Sequence, residues 1–164
     1  MDTLYVLPWK PSFAYDLGAF REWLANREEL KTEDGKPVWW HLIVQQGWAC
    51  LEELLAVNAE IQDTLLNWKD QRSRGWVWMC LAFNVPSKIF LKGLDKLLPG
   101  WDTLDTLGND PLVMAREGQS IQGIARKLWS QNPLNFNNRI RHLVEQSLTL
   151  SAQRAWLFWA NGVH

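Results

Sequence analysis

The sequence predicts a mainly α fold: a compact multi-helix single domain spanning residues 1–164, with about seven to nine helices. Three observations carry this expectation. Apolar residues recur at helical spacing through most of the chain. No segment alternates apolar and polar residues over a long stretch, and Gly, Pro and Asp-Gly punctuation cuts the apolar runs into helix-sized pieces. A hydrophobic fraction of 47% over 164 residues is enough for a sizeable core.

Taken in order, the opening LYVLPWKPSF sets Pro8 and Pro11 among β-prone residues. It is expected to run extended across the domain, with a short strand open to residues 4–7. In YDLGAFREWLANREEL, Leu17, Phe20 and Leu24 form one helical stripe with charges opposite. KTEDGKP is a loop, where Asp34-Gly35 gives a turn and Pro37 suits the first helical position. VWWHLIVQQ and WVWMCLAFNV are apolar throughout, so periodicity leaves helix and strand both open for 38–44 and 76–83.

Between those runs, Leu51, Leu54 and Leu55 make one stripe and Ile61, Leu65 and Trp68 another. That pattern is two helices, or one helix kinked near Asn58. After Pro86, Ser87 is a suitable N-cap for a helix carrying Ile89, Leu91, Leu94 and Leu98, which Pro99-Gly100 stops. Asp110-Pro111 reads as a further helix start with Gly118 at its end. Ser151 and Gly162 bracket the last helix.

The net charge is −1, so the molecule as a whole is no polycation. The charge is nonetheless divided. An acidic helical portion, 1–110, holds 11 Lys and Arg against 16 Asp and Glu; a basic helical portion, 111–164, holds 6 against 2. Such asymmetry points to an anionic partner for the basic part. The first residues lack the basic and apolar regions of a signal peptide, and the longest apolar run, 76–83, is far too short for a bilayer. Cys50 and Cys80 sit among apolar neighbours and do not resemble a stapled secreted scaffold. A soluble, cytoplasmic protein with no membrane partner is expected.

The stretch SIQGIARKLWSQNPLNFNNRIRHLVE, 120–145, is the most informative. Ile121, Ile124, Ala125 and Leu128 share one side of a helix capped by Ser120; Asn132-Pro133 then breaks the chain. On a second helix Phe136, Ile140, Leu143 and Val144 face inward, while Asn135, Asn138, His142 and Glu145 point away, flanked by Arg139 and Arg141. The pattern resembles a helix-turn-helix. Asn135, Asn138, Arg141 and His142 are then placed near bases, where Asn pairs with adenine and Arg with guanine. Arg126, Lys127 and Arg139, with Arg154 nearby, are placed near phosphates of DNA or RNA. The stretch departs from that motif in its longer turn, in bulky Trp129 after Leu128, and in Glu145 on the exposed face. A helical hairpin with a solvated face fits those departures.

Twelve tryptophans suggest a second kind of site. Trp buries much area at small entropic cost and is common at interface anchors. Adjacent Trp39 and Trp40 cannot face the same way on a helix, and Trp76 and Trp78 share a face on a strand. These four, with Trp156 and Trp159 near the C-terminus, are the candidates for contact with a protein partner or a second copy of the chain. Core packing is the competing assignment for each. Trp23, Trp48, Trp76, Trp101, Trp129 and Trp156 also recur every 25 to 28 residues, which hints at stacked helical units, although the intervening sequences do not match.

No catalytic constellation stands out. His41, His142 and His164 lack partners at metal-ligand spacing, Cys50 has no base beside it, and the ten glycines form no phosphate-cradling loop. Glu28, Glu29, Glu33 and Asp34 cluster at a helix end, where a solvated surface explains them. The expectation is a protein without catalytic residues, cofactor or metal.

Overall fold

A computed structural model describes residues 7–25, 27, 29–57, 61–86, 88–89, 92, 104–111, 134 and 138. The fold is mainly helical and compact. A 3₁₀ helix, Pro11–Tyr15, is followed by α1 (Leu17–Ala25), α2 (Val38–Val44), α3 (Trp48–Val57), α4 (Ile61–Asn67) and α5 (Trp76–Ala82). Among the described residues the β-structure is a single isolated bridge between Lys31 and Pro37. No helix among them is long and apolar enough to cross a membrane.

The two ambiguous apolar runs, 38–44 and 76–82, are both helices. In α2, Val38, Trp39, Leu42 and Ile43 are buried, one continuous stripe at helical spacing. α5 differs: every residue from Trp76 to Leu81 is buried, so the helix is enclosed on all sides and has no stripe to read. The stretch from Trp48 is two helices, with Cys50, Leu51 and Leu54 of α3 and Ile61 and Leu65 of α4 turned inward.

The opening segment is only partly extended. Residues 7–10 are irregular, but Pro11 starts a 3₁₀ turn, with the amide of Phe13 bonded to the carbonyl of Lys10 at 2.9 Å. Proline suits a first helical position because the missing N–H would lack an intrahelical acceptor. Asp16 then caps α1, its Oδ1 accepting the Ala19 amide at 3.1 Å. Two aromatic groups fill much of the core. Trp9 meets Phe13, Phe20 and Trp23 edge-on, and Trp39 meets Trp68 and Trp76 edge-on. Trp23 and Trp76 are buried while Trp48 is half-buried, so these three members of the recurring Trp series do not occupy equivalent positions.

Candidate functional site

The turn 31–37 is a densely connected polar element among the described residues. Its ends pair through the Val38 amide and the Leu30 carbonyl at 2.9 Å, and Gly35 turns the chain at φ +82°. Asp34 accepts bonds from the Thr32 hydroxyl, from the Lys36 amide at 3.2 Å and from His41 Nε2 at 3.1 Å. The same Nε2 lies 3.0 Å from the Thr32 hydroxyl. Burial pushes the Asp34 carboxyl up, but these bonds outweigh it and hold the group below the usual carboxylate range.

Thr, His and Asp in contact invite comparison with a nucleophile triad, and the geometry answers it. In a triad the hydroxyl and the carboxylate bind opposite ring nitrogens. Here both converge on Nε2. The Thr32 hydroxyl also reaches Asp34 and the Lys36 carbonyl, so it is not held for proton transfer to the imidazole as a triad hydroxyl is. The cluster staples the turn onto α2. Neighbouring Glu33 does the same for the opening segment: it accepts the Trp9 amide at 3.1 Å and Arg27 Nη2 at 3.0 Å. Arg27 in turn bonds the Leu7 carbonyl and lies 4.0 Å over the Trp23 ring.

The candidate tryptophans separate. Trp39 is fully buried and donates its indole N–H to the Thr64 hydroxyl at 3.2 Å. Trp76 and Trp78 are buried too, although α5 turns them about 200° apart. All three belong to the core and present no surface, because Trp39 lies on the buried stripe of α2 and α5 is buried from Trp76 to Leu81. Trp40, one position and about 100° on from Trp39, stays half-buried. Its N–H bonds Asp70 at 3.1 Å, and the Lys36 ammonium lies 4.2 Å over its ring. Trp156 and Trp159 lie outside the described residues.

Of the nucleic-acid candidates, Asn138 is helical and exposed. Arg126, Lys127, Asn135, Arg139, Arg141 and His142 lie outside the described residues, as does the turn of the 120–145 hairpin. The described cations of the acidic portion can be assessed. Of ten, Arg21, Arg27, Lys31, Lys36, Arg72, Arg74 and Lys92 stand in ion pairs with carboxylates of that portion, while Lys10, Lys69 and Lys88 do not. Each of the seven has a carboxylate counter-charge within the same portion, although pairs such as Lys31–Glu29 are exposed.

A half-open cleft of about 300 Å³ separates the turn from α4. Leu30 and Pro37 form one wall, Ile61, Thr64 and Trp68 the other, and the exposed Glu29 and Lys31 stand at its mouth. Local sequence did not single it out. Ile61 and Trp68 were legible as a helix stripe and Glu29 as a helix-end acid, but nothing in the linear order joins two segments 30 residues apart. No protein-family model, curated protein or solved structure matches the chain.

Proposed function

We propose that this protein is a non-enzymatic nucleic-acid-binding regulator or accessory subunit that engages DNA or RNA through its basic portion, 111–164. The observation that carries the reading is the division of charge. The basic portion holds 6 Lys and Arg against 2 Asp and Glu, whereas seven of the ten cations described in the rest of the chain are already paired with carboxylates. Phosphate binding draws on cations that outnumber the carboxylates around them, and the scarcity of acids in 111–164 gives that excess there. Asn135, Asn138, Arg141 and His142 are assigned to bases, and Arg126, Lys127 and Arg139 to the backbone.

The test is a fluorescence-anisotropy titration with duplex DNA and single-stranded RNA, using a red dye to stay clear of twelve tryptophans. Affinity should fall steeply with salt. The Arg139→Ala/Arg141→Ala variant should bind less tightly, with a salt slope shallower by about 1 for each arginine that contacts phosphate. No binding of either polymer at low salt overturns the reading. A protein partner or a second copy of the chain is the second reading, and half-buried Trp40 favours it. Binding of that kind should depend little on salt and be lost in Trp40→Ala.

A further inference from the structure

We infer that the cleft between the turn and α4 is a binding site for a small apolar ligand carrying a protonated amine, of the arylalkyl ammonium class. This goes beyond the nucleic-acid reading and is independent of it. A volume of about 300 Å³ suits one ring and a short chain. Leu30, Pro37 and Ile61 offer aliphatic contact, and the half-buried Trp68 offers a ring whose face attracts cations.

The polar groups decide the sign of the ligand. Thr64 donates its hydroxyl proton to the Ile61 carbonyl at 2.8 Å and accepts the Trp39 N–H at 3.2 Å. A hydroxyl has one proton and two lone pairs, so Thr64 has no proton left for a ligand and can only accept. Glu29 adds an exposed carboxylate, now 3.0 Å from the Lys31 ammonium. That pair is 54% and 69% exposed and holds its partners weakly, so a ligand ammonium can take the place of Lys31 on the same carboxylate. A carboxylate ligand would find one donor, Lys31, and would face Glu29 and the remaining Thr64 lone pair. Two acceptors and an aromatic face favour the amine.

The full chain, ¹⁵N-labelled, is titrated with phenethylamine and separately with 3-phenylpropionate, and amide and indole cross-peaks are followed. Phenethylamine should shift peaks of residues 29–37 and 61–68, the Trp68 indole among them, with a Kd on the order of 1 mM for so small a ligand. Phenylpropionate should bind several-fold more weakly. Glu29→Gln, on the exposed rim and outside the core, should reduce that preference several-fold while the rest of the spectrum stays unchanged. Absence of shifts, shifts confined to other segments, or equal binding of the two probes overturns the assignment.

Discussion

Arg72 donates its Nη2–H to Asp105 across 33 residues of sequence, at 2.8 Å, and the Asp105 side chain is fully buried. The carboxylate is saturated: it also accepts the amides of Leu107 at 3.0 Å and Asn109 at 2.8 Å, and the Asn109 side chain at 3.2 Å. A backbone bond from the Thr106 amide to the Arg72 carbonyl runs alongside. On the near side of the same loop, Asp70 accepts the amides of Arg72 and Arg74, the Arg74 guanidinium and the Trp40 indole. Residues 70–74 therefore join α2 to the segment 104–111, the entry to the basic portion.

Removing Asp105 should cost more than removing Arg72. Asp105→Ala leaves a guanidinium, two loop amides and the Asn109 side chain without their acceptor, and because water can reach the Arg72 side of the site the loss should be about 2–3 kcal/mol. Arg72 is 37% exposed, so in Arg72→Ala water can reach part of the site and Asp105 keeps its three other donors. A loss of about 1–2 kcal/mol is expected there. Urea midpoints of the two variants check the order; equal losses would show that the guanidinium, not the loop amides, holds Asp105.

Acid should weaken the same joint. Burial pushes the Asp70 and Asp105 carboxyls up, but the bonds they accept outweigh it, and both lie below their ordinary value of 3.8. Glu33 and Asp34 in the 31–37 turn are lowered in the same way. A carboxyl that holds its proton less tightly when folded contributes stability that is full above its unfolded pKa. That contribution is lost as pH falls through the folded value. The urea midpoint should thus be level between about pH 5 and 7 for these groups and drop below about pH 4. Asp70→Asn should be less stable at pH 7 and show a shallower acid limb. An acid limb as steep as the parent's would remove Asp70 from this account.

The class of the fold was legible because helical stripes are local. Ile61 and Leu65, or Leu51 and Leu54, announce themselves within one or two turns. The helix at 76–82 was not legible in kind, because a segment buried on every side loses the polar face that reveals its period. Trp39 and Trp40 show the limit more finely. Spacing dictates that they diverge, but only the position of α4, which brings Thr64 to the Trp39 N–H, decides which one is inside. The cleft is further from view: it exists only when the 31–37 turn and α4 stand opposite each other, and each half alone reads as ordinary surface or core.

The α2–α3 joint offers two adjacent residues whose substitutions should act in opposite directions. α2 ends in the left-handed conformation at Gln46, at φ +58°. Its amide bonds the Ile43 carbonyl at 3.1 Å and the Gly47 amide bonds Leu42 at 2.8 Å, the paired bonds of a Schellman end. Gln46→Gly relieves the Cβ crowding of that conformation, partly offset by the greater freedom of glycine when unfolded, and should stabilise by about 0.5–1 kcal/mol. Gly47 is needed for a different reason. A Cβ there would sit 2.6 Å from the Ala14 carbonyl oxygen and 3.0 Å from its Cβ. Gly47 is tied to Leu42 through its amide and to Leu51 through its carbonyl, at 2.9 Å, so the backbone cannot withdraw. Gly47→Ala should therefore destabilise by about 2 kcal/mol, as overpacking against rigid backbone does. Thermal or urea midpoints of the two single variants decide it. If Gly47→Ala proved neutral, the 3₁₀ turn carrying Ala14 would have to yield far more readily than the contact of its Phe13 ring with Trp9 implies.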